Sequence, residues 1–148
     1  MSESEPFRLF VSHLWEADDD YLRLFEYLND VDNFFYVNLS DPDDAPASAQ
    51  IEAVQIQYKK QLENAEVALI LASQYVRDAK QLQYQLDLAR AASKPVVVVE
   101  PFGPDPVLKP VKERAVEVVP WYNRSIVDAI RHHGRGDLTS RYEVIDFP

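Results

Sequence analysis

Val67-Ala68-Leu69-Ile70-Leu71-Ala72 is an apolar run with no polar alternation. A strand with one wet face alternates with period two, so a run apolar at every position is buried on both faces, as in a parallel sheet covered by helices. Lys94-Pro95-Val96-Val97-Val98-Val99 is a second run of this kind. Outward from these two, residues 7–12 (FRLFVS), Phe34-Phe35-Tyr36-Val37 and residues 115–119 are further strand-prone stretches.

Helical spacing fills the intervals. Asp18-Asp19-Asp20 opens a segment with Tyr21, Leu24, Phe25 and Leu28 on one face, and aspartates suit the positive end of a helix. The proline-punctuated loop Asp41-Pro42-Asp43-Asp44-Ala45-Pro46 precedes a helix that Ser48 can cap, with Ile51, Val54, Tyr58 and Leu62 in a stripe. After the third strand, residues 79–89 (AKQLQYQLDLA) form a helix with Leu82, Leu86 and Ala89 inward. Residues 107–114 are a short helix and 125–133 a closing one. The alternation predicts an α/β fold: a flavodoxin-like, five-stranded parallel sheet of order 2-1-3-4-5 with helices on both faces. The expected organisation is a single domain over 1–148, with a core over about 7–133 and an extension over 134–148. In that extension, Tyr142-Glu143-Val144-Ile145 adds an edge strand or docks on a neighbour.

Fifteen Lys+Arg against 25 Asp+Glu give a net charge of -10, which repels polyanions, so neither nucleic acid nor an anionic membrane is an expected partner. A small anionic ligand held at helix N-termini is not excluded. The chain has no cysteine, which removes thiol catalysis, disulfides and thiolate metal sites and fits a reducing compartment. The start, MSESEPF, lacks an apolar signal core, and no apolar run approaches the roughly 20 residues that span a bilayer. A soluble cytoplasmic protein is expected, with no metal and no resident cofactor.

In such sheets ligands collect at the carboxyl edge of the strands. That edge holds Ser12, His13 and Trp15, then Asn38, Ser40, Asp41 and Pro42, then Ser73 and Tyr75, then residues 100–103, with Gln85 on the helix after the third strand. With three glycines there is neither a phosphate-cradling loop nor a Gly-x-Gly-x-x-Gly turn. A phosphorylated receiver would need an aspartate where Ala72-Ser73 stands. Ser12-His13 does not make a nucleophile and base, because adjacent strand residues face opposite ways and no nucleophile elbow surrounds them. His132-His133, about 100° apart on a helix and following Arg131, suit a helix-terminus charge role better than a metal.

The run Phe10-Val11-Ser12-His13-Leu14-Trp15 resembles the Phe-Ile-Ser-His-Ser-Trp opening of TIR-like domains of the Thoeris antiphage defence systems, the ThsB group. Asn38-Leu39-Ser40 is similar to that group's second-strand exit, Ala65-Glu66 with the run to Ala72 to its third strand, and Lys94-Pro95 with Pro101-Phe102-Gly103 to its Lys-Pro-Ile and Pro-Trp-Gly elements. Trp121-Tyr122-Asn123-Arg124-Ser125-Ile126-Val127-Asp128-Ala129-Ile130 resembles its Trp-Asn-x-x-Ser-Ile-Val-Asp-Ala-Ile.

The resemblance implies an enzyme that cleaves NAD+ between nicotinamide and ribose. The product would be an ADP-ribose-derived signal, cyclic or conjugated, that switches on a separate effector protein. It implies NAD+ as substrate, a phage-derived trigger and a homo-oligomer in which a neighbour's loop completes the site. Phe10, Ser12 and His13 would line the ribose and nicotinamide side, Asn38 and Ser40 would close over the ligand, Pro101, Phe102 and Gly103 would form the opposite wall, and Trp121 would stack on a ring; plain core packing is the equal alternative for Phe10 and Trp121.

Breaking an N-glycosidic bond develops positive charge on the sugar, which a carboxylate stabilises. The family's glutamate falls on Gln85. Asp87 lies about 200° round the helix and cannot simply replace it, while Glu100 and Asp41 on neighbouring loops stay open as alternative acids that nothing in the sequence aims at a ribose. The resemblance therefore implies a Glu-to-Gln variant at Gln85, engineered or natural, with impaired catalysis. The other readings are a non-catalytic adaptor acting by assembly, a module that binds a nucleotide made elsewhere, and a plain solvated face of glutamines.

Overall fold

The computed structural model describes residues 5–136. Its strands are β1 (Phe7–Val11), β2 (Tyr36–Asn38), β3 (Val67–Leu71), β4 (Val96–Val99) and β5 (Glu117–Val119). They form one sheet in the order β2-β1-β3-β4-β5, every pair parallel. The helices are α1 (Asp19–Asn29), α2 (Ile51–Leu62), α3 (Ser73–Arg77), α4 (Ala79–Ala91), α5 (Lys109–Lys112) and α6 (Asn123–Arg135).

The missing alternation in β3 has a direct cause. Val67, Leu69 and Leu71 pack into a core with residues of α1 and α6, while Ala68 and Ile70 pack into a second core with residues of α2 and α4. Each strand residue thus finds an apolar layer on its own side. Full burial of one such Val, Leu or Ile contributes about 1.5–3 kcal/mol before chain entropy is counted. The edge strands β2 and β5 are three residues each and partly exposed, which limits pairing with other chains.

Several boundaries differ from the sequence expectation. Phe34 packs in the core but β2 begins only at Tyr36. Ser48 does not cap α2: Gln50 holds the cap position without a side-chain bond, and Ser48 Oγ accepts from the Gln50 N–H instead. Ile51 is exposed, so the buried stripe of α2 begins at Val54. The helix α3 was not expected, because five residues carry no readable period. The closing helix is longer at both ends, and Gly134 lies inside it rather than opening a tail. An added Cβ on Gly134 would meet Val67 Cγ2 at 3.0 Å, so glycine lets α6 approach the sheet. Gly136, at φ +66°, ends the helix in the left-handed region that glycine favours. The apolar run at 142–145 lies outside the described residues.

Candidate functional site

The loops at the carboxyl edge are held by three buried glutamines, each from a different helix. On α3, Gln74 accepts from Ser12 Oγ at 2.6 Å through Oε1 and donates from Nε2 to the Ser12 carbonyl at 3.1 Å. On α2, Gln61 accepts from the Asp41 N–H at 2.9 Å and donates to the Asp41 carbonyl at 3.0 Å. On α4, Gln85 accepts from the His13 N–H at 3.1 Å and donates to the carbonyls of His13 and Gln81 at 2.9 and 3.1 Å. An amide carries both a donor and an acceptor, so it can satisfy both backbone groups of one residue; a carboxylate cannot. Gln85 reaches this position because Asp78 caps α4, and because Leu82, Leu86 and Ala89 turn the same face inward.

His13 is the hub. Its Nδ1 accepts from the Trp15 N–H at 3.2 Å, which assigns the ring proton to Nε2, 2.8 Å from Gln61 Oε1. Burial pushes the imidazole below its ordinary value of 6.5, against the Gln61 bond and the charges of Asp41 and Asp18, so the neutral ring is favoured. Tyr58 Oη lies 3.0 Å from the His13 carbonyl and 2.9 Å from Gln81 Oε1, and burial raises its pKa, which keeps it a donor. Trp15 stacks on the Tyr58 ring at 4.6 Å and holds φ +64°. A bulky residue with that backbone angle costs about 1–2 kcal/mol and is held only by its surroundings.

A second group stands on the outer side of the same edge. Ser73 Oγ donates to Asp20 Oδ2 at 2.5 Å, and Asp20 Oδ1 pairs with the Arg23 guanidinium. That guanidinium lies 4.0 Å from the centre of the Phe102 ring, and Phe102 meets Trp121 edge-on at 5.8 Å. Asp20, Ser73, Arg77, Pro101 and Phe102 help to line a cavity of about 460 Å³ here.

The family model described as "Thoeris protein ThsB, TIR-like domain" matches residues 10–104, nearly two thirds of the chain. This chain belongs to that family. Membership in the ThsB TIR-like family supports a role in antiphage defence. No curated protein matches the chain. Among the described residues, no helix is long and apolar enough to cross a membrane, and no group of three or more His, Cys, Asp or Glu could hold a metal.

In this ThsB-type domain the residues singled out from sequence fall into separate places. Ser12, His13 and Gln85 come together, and none of them has exposed surface. Phe10 is also fully buried and packs in the α2–α4 core with Tyr58. Asn38 and Ser40 join them through Tyr21: Asn38 Nδ2 donates to Tyr21 Oη at 3.0 Å, and Ser40 Oγ lies 2.8 Å from it. Pro101, Phe102 and Trp121 belong to the outer wall, while Gly103 is exposed at φ +120°. Trp121 also meets Tyr27 edge-on at 5.2 Å.

Asp87 points to solvent, where it pairs with Arg114 at 2.8 Å and accepts from Gln83. Burial excludes a solvated face for Gln85, and Gln81 is not plain surface either, since Tyr58 bonds it. His133 pairs with Glu117 at 2.9 Å in the basic last turn of α6. Sequence reasoning missed Gln61, Gln74, Asp20 and Arg23. A glutamine in the buried stripe of α2, in step with Val54 and Tyr58, was the available signal for Gln61.

Proposed function

We propose that this chain is a TIR-type NAD+ glycohydrolase or cyclase of a Thoeris system. It is built to cleave NAD+ between nicotinamide and ribose and to pass an ADP-ribose-derived signal to a separate effector, and Gln85 holds it nearly silent. The observation that supports this most is the placement of Gln85. It lies on the α4 face turned to the exit of β1, with its neutral amide committed to His13, and the resemblance sets the family's carboxylate at this position.

An amide offers no charge to a developing oxocarbenium ion. A glutamate at 85 would still accept from the His13 N–H, but its second oxygen would face the carbonyls of His13 and Gln81. That repulsion weakens the clamp, so the carboxylate, buried at rest, turns out toward a ribose when the site opens. The closed state of Ser12, His13 and Gln85 supports a site that opens when the chain assembles or meets its phage-derived trigger. Mass spectrometry of NAD+ incubated with Gln85→Glu tests the reading: nicotinamide and an ADP-ribose derivative are expected, and intact NAD+ under assembly conditions sinks it.

A non-catalytic adaptor is the second reading, favoured by how completely the glutamine clamp satisfies both His13 backbone groups. Phage protection by the chain with Gln85 in place, without loss of cellular NAD+, would select it.

A further inference from the structure

The amino edge of the sheet, where the strands begin and away from Gln85, carries a cavity of about 840 Å³. Small-molecule sites span about 300–1,000 Å³. The cavity opens where α4 ends and β4 and β5 start, and α6 reaches it through His133. Leu86, Pro95, Val96 and Val116 give it an apolar wall, and Val116 is more than half exposed.

The charged groups around this space are unevenly engaged. His133 bonds Glu117 at 2.9 Å, and Glu113, on the rim, stands 3.9 Å from Lys109. Lys94 also lines the cavity, but its ammonium donates to the Glu63 carbonyl at 3.0 Å. Arg90, exposed on the last turn of α4, pairs with no carboxylate among the described residues. Arg114 Nη1 stands 2.8 Å from Asp87 Oδ1 but is buried and makes no hydrogen bond, so this guanidinium is only partly satisfied. In a chain of net charge -10, two arginines from different elements thus face one cavity with unused donors.

A cation in the last turn of a helix answers the negative end of its dipole, which is reason enough for Arg90 alone. It gives no reason for Ser93, which lines the same cavity in the left-handed region at φ +57°. The N–H groups of Ser93 and Lys94 close the end of α4 on the carbonyls of Arg90 and Ala89, at 3.0 and 2.8 Å. Glycine is usual at such a position, and a serine there carries a steric cost. Glycine would end α4 equally well, so helix closure does not explain the serine. A hydroxyl on the cavity wall does.

We propose that Arg90, Ser93 and Arg114 form a binding site for a small organic phosphate. The guanidiniums take phosphate oxygens in the fork geometry that suits them, the serine hydroxyl donates to another, and the apolar wall receives the body of the ligand. A phosphomonoester carries a charge of about −1.5 to −2 near pH 7, which matches two guanidiniums better than a monoanion does. The site lies at the edge of the sheet opposite position 85 and is independent of the NAD+ reading.

Phenyl phosphate, a phosphate dianion on an apolar ring, is the probe, titrated by calorimetry into the full chain beside inorganic phosphate and benzoate. It should bind tightest of the three. Arg90→Gln should weaken it about fivefold, the upper range for an exposed charge pair. Ser93→Gly should weaken it about threefold, the scale of one hydrogen bond, and yet raise the melting temperature by relieving the left-handed backbone. A merely structural serine would give the second effect without the first. Arg77→Gln, at the carboxyl edge, should leave the affinity unchanged. Failure of phenyl phosphate to bind, an affinity that survives both Arg90→Gln and Ser93→Gly, or a loss confined to Arg77→Gln overturns the proposal. Benzoate binding as tightly as phenyl phosphate overturns it as well, since the site would then not select a phosphate.

Discussion

The side chain of Gln85 pairs with both backbone groups of His13, accepting from the N–H at 3.1 Å and donating to the carbonyl at 2.9 Å. One residue of α4 thereby fixes the point where the chain leaves β1, and the imidazole of His13 is held where Gln61 and Trp15 can bond it. Glutamine at 85 is thus a structural match for the backbone amide of His13.

Gln85→Glu lowers stability, because an ionised carboxylate loses the donor to two carbonyls and is buried. The cost is about 1–3 kcal/mol near neutral pH, the range for a buried group left unmatched. Burial raises the folded pKa of such a glutamate above its unfolded value of about 4.3, so the folded state binds more protons and stability falls as pH rises through that window. Urea unfolding should show the deficit shrinking toward low pH. A deficit that grows on acidification contradicts the clamp.

His13 has the opposite sign. Its folded pKa lies below 6.5, so the unfolded chain binds the extra proton. The contribution is whole above about 6.5 and is lost as pH falls from there toward the lowered folded value. Protonation would also cost the Trp15 N–H its acceptor on Nδ1. Between about pH 7.5 and 5.5, the parent chain should lose more stability than His13→Gln. Equal losses would show that the ring titrates freely.

Gly134→Ala should destabilise by about 1–3 kcal/mol through overpacking, since its methyl group meets Val67 Cγ2 at 3.0 Å and Phe7 Cε1 at 3.3 Å. Helix propensity alone predicts the reverse sign, a gain of up to about 1 kcal/mol. A thermal melt that moves upward therefore refutes close packing of α6 on β1 and β3.

Those residues also show what the sequence made legible. The unbroken apolar runs around Leu69 and Val97 announced a sheet covered on both faces, and their alternation with helices a parallel one; the order 2-1-3-4-5 was a choice among doubly wound orders, which the sheet bears out. The helix carrying Gln85 was equally plain from Leu82, Leu86 and Ala89. The partner of Gln85 was not, because a hydrogen bond spanning 72 positions to the backbone of His13 leaves no local pattern. Gln74 is invisible for the same reason, and the stripe of Val54 and Tyr58 signals that Gln61 is buried but not which backbone it bonds. The group of Asp20, Arg23 and Phe102 joins α1 to the loop after β4, and its aspartate had a sufficient local explanation as a helix N-terminal charge. Ser48 failed in the other direction, a capping residue that stands two positions before the cap, Gln50.

The central claim is that a neutral residue at 85 is what keeps this TIR-like domain from turning over NAD+. The most direct test is the rate of nicotinamide release by Gln85→Glu and by the parent chain, each normalised to its folded fraction. One well-placed charge is worth about a hundredfold or more in rate, so the glutamate form should exceed the parent by at least that factor. Equal rates for the two forms, whether both silent or both active, would contradict the account.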